Sequence, residues 1–488
     1  MLLDFDAAPD WQPPAGDGQP EVAIAGGGLA GLLLATKLAA AGHRVILFEA
    51  SDVAQRARSQ PFYRARQVGQ PTLASDTTRL RYLGGATNHW GGWCRPLEAE
   101  DMTTRAGAEL AGWPFGPEAL APHLAEASAL LGFAPPPPPG SPLEGSEGLL
   151  APIVFGFSDP LLRAGDALLP ALAASERALV VLNANVIGAE PGEAGGLAAL
   201  LVRGYGKGAP RRVPARLFVL ALGAMETVRL LLALNRAFDD RLGNAEGLLG
   251  LGYMQHLHAR VGQLVRLFAG PDPGPLLAGE DGRPRFLATT GAFLAASGAR
   301  ARFYAEPADC GAGADWHWLT RLACGTDGVR HLRATAEQWP SRTSRLLLGE
   351  GEDALGLPPL VIDWQPLAHD KARLRQAALA YGAWLARASG WRLRLADWLL
   401  AEDAALPLPD PADGGDRGAA GHQMGGARMA SSADQGVSDP EGLVHGSGNL
   451  YLASTALFPG GGHAPPTLTL AQLTLRLART LERRLAAP

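Results

Sequence analysis

The stretch EVAIAGGGLAG, residues 21–31, decides how the N-terminal part of this chain folds. Its first five residues have the composition of a buried parallel strand, and Gly26, Gly28 and Gly31 then form a GxGxxG turn that leads into a helix. A second apolar run, RVILFE, ends at Glu49, about 20 residues beyond the first glycine. This order of strand, glycine turn, helix, strand and acid predicts a βαβ unit that binds an adenine dinucleotide.

This unit binds a dinucleotide because its backbone can come close to the ligand and because it presents a partial positive charge. Glycine lets the backbone lie against a pyrophosphate, and the helix N-terminus offers free N–H groups and a partial positive charge. An acid at the end of the second strand can accept hydrogen bonds from the ribose hydroxyls. The predicted contacts are Gly26, Gly28, Leu29, Ala30, Gly31 and Glu49. The motif alone fits NAD as well as FAD.

Size and composition exclude several classes of protein. With 488 residues, 47% of them apolar, the chain can fill two joined cores, and its alternation of strand-like and helical runs favours the α/β class. A net charge of −5 with scattered basic residues argues against nucleic acid or a membrane surface as a partner. Cys94, Cys310 and Cys324 lie too far apart for a disulfide framework or a metal site. We expect a cytoplasmic protein without a membrane span or a metal.

A second glycine-rich motif is RYLGGATNHWGGW, residues 81–93. Glycines beside a histidine and two tryptophans suit a backbone laid flat against a planar or phosphorylated ligand. The predicted ligand contacts are Gly84, Gly85, Thr87, Asn88, His89, Trp90 and Gly91. We interpret this segment as a cofactor loop.

The C-terminal region carries the candidate chemistry. His422 opens the run GHQMGGARM, and His463 ends a glycine-rich turn after a predicted strand at 449–454. A helix is predicted from Pro466, with an apolar stripe through Leu473, Leu477 and Leu481. Both histidines can serve one pocket in which a substrate hydroxyl needs a base near neutral pH.

At this point the residues resemble a known family, the glucose–methanol–choline (GMC) oxidoreductases. The resemblance rests on the N-terminal GxGxxG, the loop GGATNHWGG, VLALGAMET (219–227), GYMQH (252–256) and the segment from HQMG to PTLT. The block EQWPSRTSR (337–345) is similar to the sugar- and polyol-oxidising bacterial branch that includes the pyranose oxidases.

The resemblance implies a Rossmann-like FAD-binding domain joined to a substrate domain with an antiparallel sheet. The expected segments are 1–255 for the first part of the FAD domain, 256–405 mainly for substrate binding, and 406–488 for the C-terminal part. It also implies oxidation of a CH–OH group of a sugar, glycoside or other alcohol, with His422 as base and hydride transfer to flavin N5. Further FAD contacts are expected at Val186, Gly223, Ala453, Pro466 and Thr467.

Two features depart from the family pattern or leave it open. The family places Asn or His directly before PTLT, where this chain has Pro465, which can neither donate a hydrogen bond nor accept a proton. His463 either replaces that group in catalysis, or lines the entrance or packs. A histidine at the position of His89 bonds covalently to flavin in pyranose oxidases, and here we favour non-covalent FAD.

Alternative functions and the substrate stay open from the sequence. The alternatives are an NAD-dependent reductase and a flavoprotein that uses FAD structurally. Aromatic and histidine side chains in 285–325 either wall a substrate pocket or form core: Phe303, Tyr304, Trp316, His317 and Trp318. The electron acceptor is oxygen, a quinone or a redox partner.

Overall fold

A computed structural model describes residues 1–486 apart from 9, 106, 207, 272–284, 309–327, 404, 408–417 and 420. The strands are β1 (Leu2–Asp4), β2 (Val22–Ala25), β3 (Val45–Phe48), β4 (Arg66–Gln67), β5 (Trp93–Cys94), β6 (Leu150–Ile153), β7 (Gly156–Phe157), β8 (Ala178–Leu182), β9 (Asn185–Pro191), β10 (Leu197–Arg203), β11 (Arg211–Pro214), β12 (Leu217–Leu220), β13 (Leu257–Arg266), β14 (Phe286–Thr289), β15 (Ala301–Pro307), β16 (Val329–Ala336), β17 (Arg345–Leu348), β18 (Leu360–Asp363), β19 (Trp391–Leu395), β20 (Gly418–Ala419) and β21 (Leu450–Leu452). The α-helices are α1 (Leu29–Ala40), α2 (Leu124–Leu130), α3 (Ala164–Ala174), α4 (Gly223–Asn235), α5 (Gly291–Ser297), α6 (Ala368–Ala388), α7 (Asp397–Leu400) and α8 (Thr467–Ala486).

The first layer is a parallel sheet of six strands in the order β1-β8-β3-β2-β12-β21. All four residues of β2 are buried, because helices or a second sheet cover both of its faces. Val22 and Ile24 pack on the side of α1, α3 and α8, whereas Ala23 and Ala25 face the opposite core. The βαβ unit predicted from the first motif is therefore present, with α1 connecting the paired strands β2 and β3.

The second layer is an antiparallel sheet in the order β19-β13-β16-β15-β14-β6, with β20 also paired to β13. One face packs on α6, where the rings of Phe303 and Tyr381 lie 5.1 Å apart. The predicted boundary at residue 256 falls just before β13, while β6, from the first predicted segment, supplies an edge strand. The predicted fold class, a Rossmann-like domain with an antiparallel substrate sheet, is confirmed.

Three smaller sheets complete the described architecture: β11-β10-β9, β17-β18-β4 and the pair β5-β7. At the C-terminus, β21 occupies the centre of the strand predicted at 449–454, and α8 begins one residue after Pro466. The three leucines of its predicted apolar stripe are all buried. Among the described residues, none of the helices has both the length and the apolar content needed to cross a bilayer.

Two predictions fall partly outside the described residues. Cys94 is a buried free thiol, but Cys310 and Cys324 are not described. Trp316, His317 and Trp318 also lie outside. Of the aromatic block, Phe303 is a core residue, whereas Tyr304 lies on the opposite face of the antiparallel sheet.

Candidate active site

The glycine turn after β2 has the geometry that its sequence predicts. Gly26 has φ of 108°, and a Cβ there would lie 2.5 Å from the carbonyl oxygen of Ala221, so a larger residue cannot be placed. A Cβ on Gly28 would meet no atom within 4 Å, which leaves open space in front of α1. Gly28 is the N-cap of α1 and has no side-chain capping bond, so N–H groups at this helix start are available to a ligand.

Glu49 lies beside this turn at the end of β3. Its carboxylate accepts hydrogen bonds from the backbone N–H groups of Gly27, at 3.0 Å, and Ser51, at 2.9 Å. Burial raises the pKa of Glu49, although these backbone bonds and the charge of Arg81 oppose the shift. The acid is held where the first motif requires it, next to the glycine turn.

The loop 81–93 contacts the same turn. The N–H of Gly84 donates to the carbonyl of Gly27 at 2.8 Å, and Gly85–Asn88 form a 3-10 turn. The side chain of Thr87 bonds the carbonyl of Gly84 at 2.6 Å, which tightens that turn. The two glycine motifs, far apart in sequence, therefore form one continuous backbone surface. His89 is exposed.

A cavity adjoins the glycine turn. Its lining includes Gly26, Phe48, Ala50, Asn185, Val186 and Leu222. Predicted contacts Gly223 and Ala453 follow β12 and β21, and the N–H of Ala453 donates to the carbonyl of Leu220 at 2.9 Å. Both therefore lie at the carboxyl edge of the parallel sheet, where doubly wound folds bind their ligands.

The second focus of the site is a pair of histidines. An antiparallel bridge joins Met254 and Met424 by two backbone hydrogen bonds of 2.8 and 3.0 Å. In that register His256 lies opposite His422, and their Nδ1 atoms are 2.8 Å apart. His256 is fully buried, and its Nε2 lies 3.3 Å from the carbonyl oxygen of Gly461.

These contacts assign the protons of both rings. A carbonyl oxygen only accepts, so Nε2 of His256 carries the proton, and burial, with a smaller effect of Arg302, lowers the pKa of His256 to about 4. The neutral His256 ring has its lone pair on Nδ1 and accepts a hydrogen bond from Nδ1–H of His422. The lone pair of His422 is consequently on Nε2, which has no hydrogen-bond partner among the described residues.

The surroundings of His422 favour its neutral form. Burial, followed by the charges of His256, Arg302 and His258, holds the pKa of His422 well below its usual range. The ring is nevertheless partly exposed. His422 is thus an uncharged base with an available acceptor nitrogen.

His463 makes no hydrogen bond to His422. Its side chain is fully buried, and neither ring nitrogen has a hydrogen-bond partner among the described residues. Burial and then Arg300 lower its pKa, while Asp101 opposes that shift. His256, which the sequence motif GYMQH contained but which we assigned no role, makes the contact to His422 instead.

The comparisons with known proteins agree with this geometry. Residues 340–474 match the family model described as GMC oxidoreductase, and residues 24–68 match that of an NAD(P)-binding Rossmann-like domain. The C-terminal part of the chain thus matches the glucose–methanol–choline oxidoreductase family. The predicted resemblance to that family and the predicted cofactor, FAD, are confirmed.

Two curated relatives are each 25% identical to this chain. The 2-methyl-1,2-propanediol dehydrogenase of Mycolicibacterium austroafricanum aligns over 57% of this chain and 50% of its own length. The 6'''-hydroxyparomomycin C oxidase of Streptomyces lividus aligns over 61% and 50%. The chain thus spans about half the length of the curated relatives it matches.

Solved structures share the fold of the whole chain. Pyridoxine 4-oxidase from Mesorbium loti superposes with a TM-score of 0.58 at 18% identity, covering 95% of this chain and 99% of that one. A formate oxidase superposes with a TM-score of 0.58 at 16% identity, covering 96% and 99%. At these identities the likeness concerns the fold alone.

The residues present fit FAD. The open space at Gly28, the uncapped start of α1 and the buried carboxylate of Glu49 suit a pyrophosphate and a ribose. The adjoining cavity lined by Val186 suits the adenosine half. The remaining predicted contacts, Leu29, Ala30, Gly91, Trp90, Pro466 and Thr467, stay predictions.

Proposed function

We propose that this GMC oxidoreductase oxidises the CH–OH group of a small alcohol or sugar-like substrate, with His422 as the base. When bound, FAD supplies the acceptor for the hydride that leaves the carbinol carbon. The observation that carries the proposal is the Nδ1–Nδ1 contact of 2.8 Å between His256 and His422, because it leaves the second nitrogen of His422 as a proton acceptor.

The proton step follows from this arrangement. The substrate O–H donates to Nε2 of His422, and the proton moves there as the carbinol carbon loses hydride and becomes a carbonyl carbon. The resulting imidazolium keeps its Nδ1–H bond to the neutral ring of His256, which stabilises the positive charge. Two electrons and two protons leave the alcohol in total, one proton on His422 and the other with the hydride.

The histidine pair also answers the question that Pro465 raises. A second polar group beside the base is present, supplied by His256 from the segment before β13. Loss of catalysis, with FAD kept for structure, is therefore the less favoured alternative. A direct catalytic role of His463 remains a prediction, since its ring does not contact His422.

The finer features of the function are also proposals. The relatives' names refer to oxidation of a diol and of an aminoglycoside, which supports an alcohol or sugar-like substrate for this chain. We propose oxygen, a quinone or a redox partner as the final electron acceptor, a cytoplasmic location, no nucleic-acid or membrane partner, and FAD without a covalent bond to His89.

Anaerobic flavin reduction tests the proposal. The flavin of the purified holoenzyme is followed at its visible absorption band while polyols, sugars and simple alcohols are added in turn. We expect at least one to bleach the flavin, and His422→Ala to retain FAD but reduce it roughly a hundredfold to ten-thousandfold more slowly. His445→Ala, a histidine bonded to the carbonyl of Ala430, is the matched control and should keep the parental rate. Reduction by His422→Ala at the parental rate contradicts the assignment.

A further inference from the structure

One buried arginine on the antiparallel sheet has no counter-ion among the described residues. Arg302 is 7% exposed, its Nε has no hydrogen-bond partner among those residues, and none of their carboxylates affects its charge. Its guanidinium lies over the rings of Phe155, at 4.7 Å, and Phe286, at 5.2 Å. These cation–π contacts orient the group but do not neutralise its charge.

Two other arginines on the same face of the sheet do have a carboxylate partner. Arg333 and Arg260 both bind the carboxylate of Glu306, at 2.7 and 3.3 Å. Burial lowers the pKa of Arg302 to about 10, with Tyr304 opposing the shift, so the guanidinium is still charged at neutral pH. A buried charge without a partner is unfavourable, and an incoming anion removes that penalty.

The sheet register places Arg302 in one row with His258, which follows His256 by two residues. Arg302 lies opposite Thr335 of β16, and Thr335 lies opposite His258 of β13. Directly opposite residues point to the same face, so the three side chains form one row about 10 Å long. Thr335 also bonds Nδ1 of His258 at 2.9 Å, and His258 follows His256 by two residues. The positive charge of Arg302 accordingly acts on both His256 and His422.

We propose that Arg302 binds the carboxylate of an acidic substrate, so that this enzyme oxidises hydroxy acids or sugar acids whose CH–OH group faces His422. The inference rests on the proposed function and narrows its substrate class. One unpaired guanidinium matches the single charge of a carboxylate, and its planar N–H groups fit the two carboxylate oxygens. A phosphate dianion would keep a net negative charge in the same place.

A hydroxy acid would be oxidised by the same proton and hydride transfers as a neutral alcohol. The hydroxyl proton passes to His422 and the hydride to FAD, so a hydroxy acid becomes the corresponding oxo acid with its carboxylate unchanged. Electrons leave through the same acceptor as in the proposed function.

Matched acid and neutral alcohols test the proposal. Anaerobic flavin reduction of the holoenzyme is measured at pH 8 with glycolate against glycolamide and with gluconate against glucitol. We expect the acid of at least one pair to be favoured at least about tenfold in rate constant over apparent Kd. Arg302→Met should abolish this preference by slowing the reaction of the acid far more than that of its neutral partner, and Arg302→Lys should keep part of it. Arg333→Met, a cation of the same face that Glu306 neutralises, is the control and should retain the preference.

A binding measurement separates this inference from the proposed function. Acetate is titrated against the flavin absorbance of the holoenzyme without turnover, and Arg302→Met should bind it at least about tenfold more weakly. Equal acetate binding by parent and variant overturns the inference, as does tighter binding of inorganic phosphate than of acetate. The inference is also overturned if Arg302→Met lowers the rate constant over apparent Kd equally for acid and neutral alcohols. Arg302 would then act only through His422. If no alcohol of either kind reduces the flavin, the proposed function is wrong. The acetate titration still tests whether Arg302 binds a carboxylate.

Discussion

Nδ1 of His256 lies 2.8 Å from Nδ1 of His422, and the two rings are nearly perpendicular, with an interplanar angle of 88°. The carbonyl of Gly461 fixes the proton of His256 on the far nitrogen, at 3.3 Å. A chain of two hydrogen bonds thus runs from a backbone carbonyl to the candidate base. His256 acts as a positioning residue, because it determines which nitrogen of His422 accepts a proton.

The first prediction concerns this positioning. His256→Ala removes the acceptor for Nδ1–H of His422, so the base loses its fixed tautomer and orientation. We expect anaerobic flavin reduction to slow at least about tenfold, or ~1.4 kcal/mol of barrier, with FAD still bound. His256→Asn offers an amide oxygen as acceptor and should recover part of the rate. Equal rates for parent and His256→Ala would show that His422 needs no partner.

The comparison of sequence and structure shows which of these features could be predicted. Three features were predictable because each depends on residues close to it in sequence: the turn Gly26–Gly31, the acid Glu49 and the helix after Pro466. The contact between His256 and His422 depends on a bridge between segments 170 residues apart, Met254 and Met424, which local patterns do not reveal. The repeated histidine in the segment HLH (256–258) was the one available signal.

Arg302 was hidden from sequence reasoning for a similar reason. Its role depends on the register across β15, β16 and β13, and alternation alone places Phe303 and Arg302 on opposite faces without saying which face is core. The sequence left the aromatic block open between pocket and core. The packing of Phe303 on Tyr381 shows that the face of the sheet carrying Phe303 is core.

The second prediction is a pH profile. A base acts only when neutral, and the pKa of His422 is held well below 6.5 by burial and nearby positive charge. The rate of flavin reduction at saturating alcohol should therefore be constant through neutral pH and decline only below pH 6.5. Stopped-flow measurements between about pH 5 and 9 report the apparent pKa of the coupled pair. A decline centred at or above 6.5 would show a base in an ordinary environment, and His422→Gln, as control, should lack the decline.

The third prediction separates cofactor binding from stability. A Cβ at Gly28 meets no protein atom within 4 Å, and φ of −80° suits any residue, so Gly28→Ala should destabilise the apoprotein by about 1 kcal/mol or less. The same Cβ projects into the space assigned to the pyrophosphate, and FAD affinity should fall at least about tenfold. Fluorescence titration of apoprotein with FAD measures the effect. Gly206→Ala, also with no atom within 4 Å, is the control, and unchanged affinity in Gly28→Ala would place the pyrophosphate elsewhere.

The fourth prediction concerns the ion pair beneath the glycine-rich turn. Nε of Arg300 binds Asp101 at 2.6 Å, both side chains are almost fully buried, and Arg300 holds the pKa of Asp101 below its usual range even though burial opposes this. Asp101→Ala leaves the guanidinium without one of its two carboxylates and should lower the free energy of unfolding by roughly 3–5 kcal/mol. Glu441→Ala is the control, because the Glu441 side chain is 46% exposed beside Arg483, and it should change stability by less than about 0.5 kcal/mol. The double variant Asp101→Ala/Arg300→Met removes the guanidinium that has lost one carboxylate, and it should be more stable than Asp101→Ala in urea denaturation. If the double variant loses as much unfolding free energy as the two single variants Asp101→Ala and Arg300→Met together, packing and not the buried charge accounts for the loss.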